Sequence, residues 1–167
     1  NGSVRELCSA VSRECSKYGY EPIMLTDQLC CQAKEAGSFL ASIAKTHCKS
    51  GKKLAYIAGG ETIVNITGHG KGGRNQEIAL SAAEGIKGMP NAAVFSIGSD
   101  GTDGPTDAAG GYSDGDTAVV LKNKGIDIFE VLKNNDAYNA LKLTDGLIIT
   151  GPTGTNVNDV SVLLISD

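Results

Sequence analysis

Val4, Leu7, Cys8 and Val11 recur at helical spacing and predict a first helix over roughly residues 4–18. The apolar run Ile23-Met24-Leu25 reads as a short strand. Ala36, Phe39, Leu40, Ile43 and Ala44 mark a second helix that should end near Gly51. Leu54 to Ala58 and Ile63 to Thr67 read as two strands around Gly59-Gly60-Glu61, a separation short enough for a hairpin. Gln76 to Ile86 predicts a third helix and Ala92 to Ile97 a buried strand. Asp116 is placed to cap a helix over residues 117–124, and Asp136 another over 137–142. Leu147 to Thr150 and Val160 to Ile165 read as the last strands.

Strand and helix alternate over most of the chain, which predicts an α/β fold. The hairpin makes the sheet mixed, so the expected architecture is a three-layer sandwich with a mixed central sheet and helices on its faces. Neither an internal repeat nor a linker divides the sequence, and residues 1–167 read as a single domain.

With 41% hydrophobic residues and no Trp, the core must be built from Val, Ile, Leu and Ala. A net charge of −4 offers no broad attraction for nucleic acid or an anionic membrane, so neither is expected as a partner. No apolar run reaches the length of a membrane span, and no signal-peptide pattern opens the chain. The five cysteines, Cys8, Cys15, Cys30, Cys31 and Cys48, are odd in number and lack metal-ligand spacing. They fit a reducing, intracellular and most simply cytoplasmic location. Cys8 and Cys15 share a helical face with Val4 and Val11 and should pack in the core. In such a protein the sequons at Asn1 and Asn65 are accidents of composition.

The 22 glycines gather in polar stretches, several of them where a strand ends, and that edge of an open α/β sheet is where ligands bind. The segment Gly68-His69-Gly70-Lys71-Gly72-Gly73-Arg74-Asn75-Gln76-Glu77 follows a strand and opens a helix. Glycines allow close backbone approach, and a helix N-terminus presents unpaired N–H groups. Lys71 and Arg74 add positive charge, so the segment reads as an anion site or, more plainly, as a turn with two solvated cations. Gly68, Gly70 and Gly73 match a dinucleotide-binding pattern only weakly, and Gly72 after Lys71 excludes a Walker A loop.

The next loop carries Asp100, Asp103 and Asp107. One or two carboxylates plus substrate phosphates are what Mg²⁺ commonly uses, whereas Asp in a Gly/Pro loop also forms turns and caps. Asp107 before Ala108-Ala109 looks like a helix cap. Because this loop is polar and glycine-rich, Asp100 and Asp103 are expected to serve metal-dependent binding rather than folding. The last loop, Thr150 to Asp159, offers hydroxyls, amides and N–H groups for a phosphate or hydroxyl ligand. His47, near a helix end, is expected to be exposed.

Gly59-Gly60-Glu61-Thr62, Gly70 to Glu77, Asp100 to Gly110 and Thr150 to Asp159, taken in this order, resemble the successive signatures of the MOFRL domain, across roughly residues 54–165. That domain belongs to the second type of glycerate kinase, also known in places as hydroxypyruvate reductase. The resemblance implies transfer of the ATP γ-phosphoryl group to glycerate, usually at the 2-hydroxyl, with Mg²⁺. It also implies a two-domain enzyme whose site lies between domains, of which this chain is the carboxy-terminal part. The amino-terminal domain, with a lysine thought to act from it, is absent, so the isolated chain should fold yet be inactive. Gly2-Ser3-Val4 departs from the family's Asn after Gly-Ser.

On this reading Arg74 and Lys71 stabilise the transferred anion with the backbone of Gly72 and Gly73. Asp100 and Asp103 are the candidates for Mg²⁺ or for substrate hydroxyls, Asp103 being counted as catalytic. Gly60, Glu61, Asn75, Thr102, Thr153, Thr155, Asn156 and Asn158 contribute to substrate and phosphate binding, and Glu61 and Glu77 orient Arg74. Partners are then glycerate, ATP, the amino-terminal domain and a possible second copy. Rival readings are a nicotinamide-dependent hydroxypyruvate reductase and a non-catalytic ligand-binding domain.

Overall fold

A computed structural model describes residues 2–167, so the sequon at Asn1 lies outside the described residues. The element order is α1 (Val4–Lys17), β1 (Glu21–Leu29), α2 (Ala33–His47), β2 (Leu54–Gly60), α3 (Arg74–Gly85), β3 (Ala92–Gly98), β4 (Gly110–Asp114), α4 (Thr117–Asn123), α5 (Ile128–Lys133), α6 (Ala137–Leu143), β5 (Leu147–Ile148) and β6 (Asp159–Ile165). Six strands form one mixed sheet in the order β1-β2-β6-β3-β4-β5. β1 and β2 are parallel, and every other neighbouring pair is antiparallel. The fold is the expected α/β sandwich.

Side-chain alternation along the strands divides the core. On one face, Cys8 and Cys15 of α1 pack with Ala55, Ile57, Val160 and Val162. On the other, Leu40 and Ala44 of α2 and Ile78 and Ala82 of α3 pack with Val94 and Leu163. A third cluster gathers Leu80 of α3, Leu121 of α4, Ile128 of α5 and Leu141 of α6. The buried cysteines are free thiols, as the helical pattern implied, and burial pushes both above the usual thiol range. Ser3 caps α1 by accepting from the Glu6 N–H at 3.2 Å.

Several local expectations fail. Residues 63–67 do not pair back on β2, so there is no hairpin. Ile63 forms only an isolated parallel bridge with Gln32, and Thr67 and Gly68 donate their N–H groups to the Asn135 side chain instead. β6, arriving from the far end of the sequence, takes the place beside β2 that the hairpin would have used. The apolar pattern predicts neither strand β4 nor helix α5. β4 has one large apolar residue, Tyr112, and its Gly111 lies flush against Leu141, Ala79 and Gln76. Asp107 caps no helix and accepts from the Tyr138 hydroxyl at 2.8 Å. Asp116 and Asp136 do precede helices but make no side-chain cap. Asp136 accepts from the Lys71 N–H and the Asn139 amide. His47 is half-buried, with its ring 5.6 Å from Tyr56.

Candidate functional site

The end of β2, the end of β3 and the start of β6 meet at one sheet edge, where Asp159 pairs with Gly60 on one side and Gly98 on the other. The N-terminus of α3 points at this edge. Arg74, its first residue, gives Nε to Asp159 Oδ2 at 2.5 Å and Nη2 to Asp159 Oδ1 at 3.3 Å, while Nη1 lies 3.2 Å from Glu61 Oε1. The Asp159 side chain is 8% exposed against 36% for Arg74. This bidentate fork holds the guanidinium in one orientation, and the bond to Asp159 raises the pKa of Arg74 further. Glu61 thus contacts Arg74 as expected. Nothing in the loop pattern marks Asp159, at the end of the last glycine loop, for this role.

Beneath Arg74, Asp103 occupies the position of an anion at the helix N-terminus. Its Oδ1 accepts from the Asn75 N–H and Asn75 Nδ2, both at 3.0 Å, and its Oδ2 from the Gln76 N–H and Gln76 Nε2, both at 2.9 Å. Asp103 is 2% exposed. Burial pushes its carboxyl above the usual carboxylate range, against the pull of those four donors. The expectation that Asp103 lies outside the core is therefore overturned: the N–H groups expected to cradle an external anion hold this internal carboxylate. The network continues from Asn75 Oδ1 to Ser96 Oγ at 2.6 Å and on to Ser161 Oγ at 2.7 Å, across the centre of the sheet.

Asp100 stands apart from this network. It is partly exposed and accepts the Thr102 N–H at 3.0 Å in a local turn. The pair does not suit a shared Mg²⁺, because Asp103 is buried with both oxygens saturated. Among the described residues, no group of three or more His, Cys, Asp or Glu side chains is arranged to hold a metal ion.

A cleft of about 520 Å³ opens beside Arg74. Gly72, Gly73 and Arg74 form one wall, Glu61, Thr62, Ile63, Val64 and Ile66 another, and Glu77 with Asn135 the floor. The Thr62 hydroxyl is buried there without a hydrogen-bond partner. Glu77 turns from Arg74 to accept the Asn135 amide at 3.0 Å, and burial pushes its carboxyl up. A carboxyl whose folded pKa is raised binds protons more readily in the folded chain, so stability falls as pH rises from the ordinary carboxylate range through the folded value. Glu77→Gln keeps an acceptor for Asn135 and removes this cost. Its thermal midpoint should match or exceed that of the parent near neutral pH, and the parent should gain on it as the pH falls. A variant less stable at neutral pH would show that the charged form is the one favoured by the fold.

Other expected site residues lie outside this cleft. Lys71 places its ammonium 4.1 Å from the Tyr138 ring centre. Gly60 packs against the Leu29 backbone. Thr153 donates to Ser99 O, the Val157 N–H donates to Ser99 Oγ, and Thr155, Asn156 and Asn158 are exposed on that same loop, latched to the end of β3. Gly70 and Gly73, which do line the cleft, leave no room for a Cβ, the first against Asp136 and the second against Asp103. The glycines of this segment thus serve close packing of the chain on itself.

Residues 54–159 match the MOFRL family. Over 98% of its length the chain is 50% identical to a Thermotoga maritima protein named D-glycerate 2-kinase, and over 95% it is 45% identical to a Pyrococcus horikoshii protein named glycerate 2-kinase. It covers 40% and 37% of those two relatives, so it spans about two fifths of their length. The crystal structure of a glycerate kinase from Thermotoga maritima superposes with a TM-score of 0.94 at 50% identity, over 98% of this chain and 41% of that one. No helix of the described residues is long and apolar enough to cross a membrane. With the matched residues spanning β2 to the start of β6, and with them the Arg74 fork and the Asp103 network, the chain belongs to the MOFRL family.

Proposed function

We propose that this chain is the carboxy-terminal part of a glycerate kinase and forms one wall of a site that a second domain completes. The observation that carries the reading is Arg74, held by Asp159 and Glu61 beside an open cleft, in a chain half identical to a protein named D-glycerate 2-kinase. Phosphoryl transfer asks a protein mainly to position the reactants and to stabilise charge on the transferred group. In this reading the glycerate hydroxyl oxygen, the 2-hydroxyl by analogy with the relatives' names, forms the new bond to the γ-phosphorus of ATP and gives up its proton to solvent, while the bond from that phosphorus to the β,γ-bridging oxygen breaks and ADP leaves. The Arg74 guanidinium, fixed on its inner edge, turns its outer edge to the anionic ligand. Glu61 is 56% exposed and can be exchanged for that ligand at little cost. Thr62 and Glu77 supply a hydroxyl and a carboxyl for hydrogen bonds within the cleft. No step is assigned to a metal held by Asp100 and Asp103.

The full-length enzyme should release ADP when given ATP and glycerate, and the purified 167-residue chain should not. Coupled measurement of ADP release checks both. Turnover by the chain alone would overturn the shared site. A full-length enzyme that oxidises a nicotinamide cofactor with hydroxypyruvate but leaves ATP intact would overturn the kinase reading.

A further inference from the structure

The layer that contains α1 is only half filled. α1 lies over β1, β2 and β6, and among the described residues no helix covers the same face of β3, β4 and β5. The alternation on β3 records this. Ala92, Val94, Ser96 and Gly98, toward α2 and α3, are buried, whereas Ala93, Phe95 and Ile97, on the opposite face, are half-buried. Tyr112, directly opposite Phe95 in the ladder, is 37% exposed, and Ile148 continues the strip on β5. Three strands spaced about 4.8 Å apart make a strip roughly 10–14 Å wide, and an α-helix with its side chains is about 10–12 Å across. The strip is one helix wide.

The lower end of the strip deepens into a hollow of about 300 Å³ between Tyr20, Tyr112, Ala93 and Leu164. Its rim carries Asp114, which accepts from the Tyr112 hydroxyl at 3.2 Å, and Asp116. Tyr20 also carries the Lys53 ammonium 4.6 Å from its ring centre. An occupant of this strip therefore needs an apolar face for Phe95, Ile97 and Tyr112 and a Lys or Arg for the acidic rim.

The geometry points to a docking surface for an amphipathic helix that runs beside α1 and comes from the part of the polypeptide that this chain's relatives have beyond the matched two fifths. A helix of such a longer chain reaches this strip at high effective concentration, and a strip of this width with an acidic end suits one basic amphipathic helix. The inference rests on the reading of this chain as part of a longer protein, but not on phosphoryl transfer. It concerns the sheet face rather than the strand-end edge that holds Arg74.

Hydroxyl-radical footprinting of the full-length gene product, with each residue's labelling rate referred to that of the unfolded protein, tests it. Tyr138, 8% exposed, and Tyr18, 68% exposed, are internal calibrants. The inference expects Tyr112 to lose its labelling down to the level of Tyr138. It also expects a zero-length carbodiimide cross-link from Asp114 or Asp116 to a lysine outside residues 1–167. Tyr112 labelling intermediate between the calibrants overturns it, and so does a cross-link only to a second copy of this chain. An active kinase with Tyr112 exposed would sink this inference alone. An inactive one with Tyr112 protected would sink only the kinase reading.

Discussion

Asp103→Asn should lower the thermal midpoint of this chain by roughly 6–12 °C. The carboxylate accepts four hydrogen bonds through two oxygens, in a place almost closed to water. Asparagine keeps one acceptor oxygen and turns an NH₂ group toward two of the four donors. Leaving buried donors unmet costs about 1–3 kcal/mol each, so a net loss of about 3 kcal/mol is a conservative expectation. In a domain of this size each kcal/mol moves the midpoint by roughly 2–4 °C. Calorimetry of the parent and the variant measures the shift. A change under about 2 °C, which is below 1 kcal/mol on that scale, would return Asp103 to a role in ligand binding. Asp100→Asn is the matched control. Its carboxylate makes one exposed turn contact, which an amide oxygen can replace, so its midpoint should hardly move.

Arg74→Lys should reduce turnover of the full-length enzyme by roughly 100- to 1,000-fold, the usual loss when a preorganised donor to a transition-state anion is removed. A lysine keeps the charge but cannot hold Asp159 with two parallel bonds while presenting a further edge to a ligand. The composition of the loop suggests an exposed cation that folding would not notice, and the structure corrects this. Asp159 is nearly buried, and Arg74→Ala would leave its carboxylate without a partner. Because the arginine itself is partly exposed, the expected stability loss is about 1–3 kcal/mol, below that for a fully buried pair. Kinetics must therefore be read at a temperature where circular dichroism shows the variants folded. Full activity of either variant would remove Arg74 from the chemistry. A loss that tracks only unfolding would assign it to the fold alone.

Much of this could be read along the chain. Periodicity located the three longest helices and the strands β2, β3 and β6, because each buries a regular apolar face and its neighbours in sequence carry the signal. It does not mark β4, whose Gly111 lets α3 and α6 approach the sheet, and it reads residues 63–67 as a strand where the structure has only the isolated bridge of Ile63 to Gln32. The site divides in the same way. Arg74, Gly72 and Gly73 are legible in the charged glycine loop and Glu61 in the preceding one, and the four meet at the cleft. Two polar residues inside otherwise apolar strands, Ser96 and Ser161, are the readable sign of a buried network.

The sequence by itself determined that the chain is an α/β sandwich with glycine loops at a sheet edge and a charged turn opening α3. These follow from local propensity, period and loop chemistry. The mixed sheet, expected from a hairpin that does not form, comes instead from β6 lying antiparallel between β2 and β3. Only the tertiary structure decided that Asp103 is the helix cap and Asp159 the partner of Arg74. Those pairs join residues 27 or more positions apart, and which carboxylate reaches which donor depends on β6 being seated between β2 and β3. A free Asp in a glycine loop and a buried Asp with four donors look alike in a sequence. What separates them is burial, which removes water as the alternative partner and is a property of the assembled sheet rather than of the loop.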